Sequence, residues 1–236
     1  MRRAVALLTL LAFAGCTSTQ EKARRLKDEG RGAFEARGLR LGRANPDVRV
    51  LDTAVLSDRN GSAAVVVLRN RVRREQVRVP VAIDVRGADG KSVFRNDAPG
   101  LEPSLVSVSL LGPGDTVGWV YDQVVATSRP KSLRARVGPS HGKAPAEPPR
   151  LRVRGVRLEH EQTTGLSAQG TVTNDSRVDQ RDLVLYGVAR RGGRIVAAGR
   201  AQVRRVKPGG RAAFRMFFIG DPRDAELSIS VPPTRF

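Results

Sequence analysis

Cys16 is the chain's only thiol, and His141 and His160 are its only imidazoles. These are too few soft ligands for a structural zinc site or a disulfide framework. His160 stands between Glu159 and Glu161, a set that suits acid–base work or a metal. Alternation along a strand sends both carboxylates to the face opposite His160, so an exposed charged strand end is expected instead. Asp175, Asp179 and Asp182 have a spacing that suggests calcium, but Arg177 and Arg181 lie among them, which favours surface ion pairs. Gly87-Ala88-Asp89-Gly90-Lys91-Ser92 resembles a phosphate loop only until Val85, where that spacing demands glycine, and no helix follows. Arg190-Arg191-Gly192-Gly193-Arg194 occurs once, between two strand-like runs. There is no G-x-S-x-G elbow and no H-E-x-x-H pair. The expectation is a non-enzyme with no catalytic residue, cofactor or metal site.

Met1-Arg2-Arg3, the apolar stretch Ala4 to Ala14 and the small residues from Gly15 have the layout of an export signal. Phe13-Ala14-Gly15-Cys16 resembles the bacterial lipoprotein lipobox in its last three positions, with Phe13 in place of the usual leucine. That resemblance implies a signal peptide over 1–15, a diacylglycerol thioether on the Cys16 sulfur and cleavage leaving Cys16 as the acylated N-terminus. Stable anchoring needs about two acyl chains, which such a cysteine carries. Ala12-Phe13-Ala14 also fits ordinary signal peptidase, and a free cysteine can be a small core residue. Thr17 replaces the Asp that favours inner-membrane retention, so an extracytoplasmic protein on the periplasmic face of an outer membrane is expected in a diderm host.

These residues need a scaffold. Residues 16–46 are charged and interrupted by Gly30, Gly32, Gly38 and Gly42, as in a flexible tether. Four prolines and two glycines within 138–149 indicate an extended linker over 139–150. It separates segments 47–138 and 151–236, each of a size usual for a small sandwich. The segments match in order. Val66-Val67-Leu68-Arg69-Asn70 parallels Gly170-Thr171-Val172-Thr173-Asn174, and the strand from Val79 to Val85 parallels Leu183 to Val188. Asp89-Gly90 and Gly192-Gly193 both suit two-residue hairpins. Pro113-Gly114 parallels Pro208-Gly209, Trp119 parallels Phe214, and each segment ends in a β-rich run. The first copy is longer between its hairpin and its Pro-Gly turn. Short alternating runs with frequent turns predict an all-β chain with two tandem immunoglobulin-like antiparallel β-sandwiches, in which Trp119, Tyr186, Phe214 and Phe218 pack in cores.

The block from Gly170 to Phe218, through Asn174, Leu185, Tyr186, Gly193, Pro208, Gly209 and Phe214, resembles the FxLYD family of bacterial extracytoplasmic domains, with Gly187 where that pattern has Asp. The first copy is similar to YcfL-type lipoproteins through Asn70, Asp89-Gly90 and Pro113-Gly114. These resemblances imply envelope β-sandwiches and transfer no catalytic residue.

The chain holds 42 basic and 23 acidic side chains, a formal net charge of +19. Beyond residue 15 the excess is +4 over 16–46, +4 over 47–138, 0 over 139–149 and +9 over 150–236. A basic face fits an acidic protein or an anionic lipid or polysaccharide. Nucleic acid is disfavoured, since export and one Trp with two Tyr leave few stacking platforms. The arginine bias (36 Arg to 6 Lys) also matches GC-rich coding. The expected function is a membrane-anchored, non-catalytic envelope lipoprotein whose modules contact an envelope protein or anionic polymer. The alternatives are a soluble secreted polyanion-binding protein and an envelope enzyme with a site between the domains.

Overall fold

A computed structural model of the chain describes residues 38–161 and 165–236, which fall within one compact unit. The sequence-read signal peptide, Cys16 and most of the tether lie outside the described residues. The fold is all-β and every strand pairing is antiparallel. The first half contains β1 (Val48–Asp58), β2 (Gly61–Asn70), β3 (Gln76–Arg86), β4 (Ser92–Arg95), β5 (Ser107–Leu111), β6 (Thr116–Tyr121) and β7 (Ser132–Val137). A single turn of helix, α1 (Pro103–Val106), precedes β5. The second half contains β8 (Leu151–Glu161), β9 (Gly165–Asn174), β10 (Gln180–Arg191), β11 (Arg194–Val206), β12 (Arg211–Gly220) and β13 (Glu226–Ser230).

The halves share one pairing scheme. In the first, β1 pairs β2 and β2 pairs β6, while β3 pairs β4, β5 and β7. In the second, β8 pairs β9 and β9 pairs β12, while β10 pairs β11 and β13; an added β11–β12 pairing joins these six strands into one sheet, whereas the first half stays split between β1-β2-β6 and the β3 group. The long β11 thus occupies the place of β4 and β5 together, with α1 inserted where the first copy is longer. Local irregularities coincide too. The register shifts at Val85/Arg86 in β3 and at Ala189/Arg190 in β10. Arg78 and Asp182, each two residues after a buried glutamine, have φ of 44° and 50°. Such a backbone costs a non-glycine residue on the order of 1 kcal/mol or more, so its recurrence marks a local twist built into the same place in both copies without a change of register.

Two buried asparagines explain why Val66-Val67-Leu68-Arg69-Asn70 parallels Gly170-Thr171-Val172-Thr173-Asn174. The Asn70 side-chain amide donates to the carbonyls of Arg74 (2.8 Å), Leu111 (3.2 Å) and Gly112 (2.9 Å), and its Oδ1 accepts from Val72 N (3.1 Å). Asn174 donates to Val178 O (2.8 Å) and Val206 O (3.0 Å) and accepts from Ser176 N (3.1 Å). Each ties the loop after its strand to the opposite layer, because buried backbone groups need partners that a loop does not supply itself. Gln76 and Gln180, six residues onward in each copy, are equally buried. Gln180 accepts from Thr234 N (3.1 Å) and donates to Arg235 O (2.7 Å), which fastens the C-terminal segment.

The hairpins differ from each other. Gly192 and Gly193 both have positive φ, 56° and 77°, as a primed two-residue turn requires. Asp89-Gly90 instead lies in a five-residue connection in which Gly90 N bonds Gly87 O (3.1 Å) and only Gly90 has positive φ (74°). Asp89 caps this turn by accepting from Lys91 N at 3.0 Å.

Candidate functional site

Burial along the strands shows how the halves meet. Ala63 to Leu68 in β2 and Leu183 to Ala189 in β10 are buried at every position, so both faces of these strands are covered. Leu183, Leu185 and Ala189 pack with Met216, Phe214 and Phe218 in the second half's own core. Val184, Tyr186, Val188, Ala198 and Ile219 belong to the first half's core with Val65, Val120 and Trp119. The outer faces of the two inner sheets therefore form one continuous apolar seam. Gly118 permits the approach: a Cβ there would stand 2.6 Å from Val188 Cγ2.

A polar cluster closes one end of this seam. The Arg200 side chain on β11 is 4% exposed and places Nη1 2.9 Å from Asp122 Oδ1. Its Nη2 donates to Ser104 Oγ (2.8 Å) and stands 3.7 Å from Glu102 Oε2. The Ser104 carbonyl accepts from both Trp119 Nε1 (2.9 Å) and Tyr186 OH (3.1 Å). Gln202 Nε2 reaches Glu102 at 3.1 Å. Burial raises the Tyr186 phenol well above its ordinary range, so it remains a neutral donor. At the seam's other end, Arg190 pairs Asp52 (2.8 Å) and Gly220 N donates to Asp58 (2.8 Å). Arg200 Nε is buried without a hydrogen-bond partner among the described residues. The remaining polar groups of the cluster satisfy one another.

The residues singled out in the sequence are dispersed. His160 is exposed, and Glu159 accepts a hydrogen bond from Gln169. His141 is exposed while its backbone N–H bonds Val77 O (2.7 Å), and Ser140 Oγ bonds both backbone groups of Val77, so the start of the 139–150 segment lies along β3. Asp175 pairs Arg152, and Asp179 pairs Arg205 (2.9 Å) and Arg181 (3.2 Å). The hydrogen bonds from Arg152 and from Arg205 hold these two carboxyls below the usual carboxylate range. Among the described residues no cluster of His, Cys, Asp and Glu is arranged to hold a metal. Trp119, Tyr186, Phe214 and Phe218 are buried core residues.

Sequence reasoning missed Arg200, Asp122, Glu102 and Ser104. Only the extra length of the first copy signalled them, since α1 and its flanks supply Glu102 and Ser104. It also missed a groove of about 540 Å³ on the first half, lined by Arg49, Leu51, Arg69, Asn70, Arg71, Val72, Arg73, Pro113 and Gly114. A second groove, about 730 Å³, lies where Thr116 and Val117 of β6 face Leu151 and the Val231-Pro232-Pro233 tail.

No protein-family model and no curated protein matches the chain. Among solved structures the chain is similar to red sea bream transglutaminase, at 14% identity over 92% of this chain. It spans 32% of that chain's length with a TM-score of 0.23, a likeness too low to bear on fold or activity.

Proposed function

We propose that the protein is a non-catalytic cell-envelope lipoprotein, anchored through acylated Cys16, that displays two fused β-sandwiches to an envelope protein or anionic surface polymer. The observation that carries this reading is the position of the only cysteine, immediately after an apolar run and Ala14-Gly15. The resemblances to the FxLYD and YcfL-type families support it, because both imply envelope sandwiches. The seam supports display of the two halves as one unit: Trp119, Tyr186 and Arg200 direct their polar atoms at Ser104 and Asp122.

Fractionation of cells making the wild-type chain or Cys16→Ser, with and without globomycin, tests the anchor. Membrane association that resists salt and is lost on substitution supports it. Unchanged soluble export of both forms sinks it in favour of a secreted polyanion-binding protein.

A further inference from the structure

The groove on the first half has an arrangement of charge that folding alone does not favour. Arg49 on β1 lies directly opposite Arg69 on β2. Like charges facing each other across an antiparallel pair are destabilising. Arg71 and Arg73 follow on the loop that Asn70 fastens through Arg74 O and Val72 N. All four arginines are exposed, and among the described residues none of the four guanidinium groups has a hydrogen-bond or ion-pair partner. Of the two acids nearest in sequence, Asp47 is engaged by Arg74 at 2.6 Å, and Glu75 forms no ion pair with any of the four among the described residues.

The second half shows what balances such a row. Aligned on Asn70 and Asn174, Arg49 corresponds to Arg152, Arg69 to Thr173 and Arg71 to Asp175. There Arg152 stands opposite Thr173 and pairs Asp175. The first half has a second arginine where the other has threonine, and a third where the other has the neutralising acid. A bound anion would supply the missing charge.

Guanidinium groups match tetrahedral oxyanions through paired N–H donors. Four of them around about 540 Å³ call for several negative charges in a small volume, which one carboxylate does not provide. We propose that the Arg49, Arg69, Arg71 and Arg73 groove binds a multiply charged phosphate group, either soluble or carried on a lipid head. This assignment deepens the reading of the protein as an envelope module and rests on it for its biological setting.

Titration of the purified full chain with tripolyphosphate by calorimetry tests the site, independently of where the protein resides in the cell. One-to-one binding is expected, weakened roughly ten-fold by Arg69→Gln and by Arg49→Gln, as loss of a charge-assisted contact implies. Arg71→Asp, which gives the first half the second half's acid, is expected to abolish binding. Arg177→Gln, at the counterpart of Arg73, is expected to leave it unchanged. Binding should weaken as ionic strength rises, and less steeply in each arginine variant. A parallel arm uses phosphatidylcholine vesicles with and without phosphatidic acid. Arg69-dependent capture by the phosphatidic acid vesicles assigns a lipid head, whereas tripolyphosphate binding alone assigns a soluble phosphate. Circular dichroism and Tm control for folding, and both are expected to be retained in each variant. Absence of binding in both arms, or equal weakening by Arg177→Gln, overturns the site. The Cys16→Ser fractionation is unaffected by either result.

Discussion

Residues 48–137 and 151–230 repeat one arrangement of strands, bulges and asparagine ties, yet they treat length and charge differently. The first half interrupts its counterpart of β11 with α1 and carries an arginine groove with no ion-pair partner among the described residues. The second runs β11 unbroken and pairs its corresponding arginine with Asp175. The backbone-fastening residues are common to both because each sandwich has the same buried carbonyls to satisfy. Surface residues and inserted loops face no such shared demand. The insertion became the means by which the halves adhere, through Glu102 and Ser104 against Arg200 and Gln202.

The most severe way to break this likeness is to empty equivalent core positions. Trp119→Ala and Phe214→Ala should each cost about 3–5 kcal/mol in urea unfolding, with Trp119 the worse because its loss also frees the Ser104 carbonyl. A single cooperative transition is expected in both variants, since Val184, Tyr186 and Val188 belong to the first half's core. Two resolved transitions would mean that the halves unfold separately.

Asn70→Ala and Asn174→Ala should follow at about 2–3 kcal/mol each, because buried carbonyls lose their donors. A difference between them much beyond 1 kcal/mol would show that the ties are not equivalent. At the seam, Arg200→Ala should cost roughly 2–3 kcal/mol, below the usual value for a fully buried pair because Asp122 and Glu102 are partly exposed. Arg190→Ala should cost about 1 kcal/mol, since both members of its pair are only half-buried. Equal losses at these two positions would count against Arg200 as the lock.

The smallest effect concerns acid. Side-chain and backbone hydrogen bonds from Arg223 lower the Asp221 carboxyl from 3.8 to about 2. A carboxyl depressed on folding contributes stability above its unfolded pKa, and that contribution disappears as pH falls from about 4 toward 2. Wild-type chain should therefore lose slightly more stability over that window than Arg223→Gln. Parallel pH profiles for the two would remove the pair from the account.

Much of the fold was legible because its signals are local. Alternation in Leu151-Arg152-Val153-Arg154 became a strand with its arginines outward, and Gly192-Gly193 became a primed turn. Pro113-Gly114 and Pro208-Gly209 mark equivalent turns before β6 and β12, with Gly114 and Gly209 at φ of 72° and 66°. Asp89-Gly90 misled because Asp-Gly serves a longer connection as readily as a two-residue one. The even run Ala63 to Leu68 could be read as apolar, but not as a strand covered by two different sheets. His160 and the Asp175 to Asp182 set attracted attention by proximity in sequence, whereas Arg200 and Asp122 are 78 positions apart and gave no such cue.

What the amino-acid order by itself determined is the all-β pattern, the doubled motif and its turns, since side-chain alternation and glycine backbone freedom act over a few residues. The meeting of the halves was decided by tertiary structure. Whether Val188 faces Gly118 or water, and whether Arg69 faces a neutraliser or another arginine, depends on strand register and sheet stacking. These bring together residues whose separation along the chain carries no record of their contact.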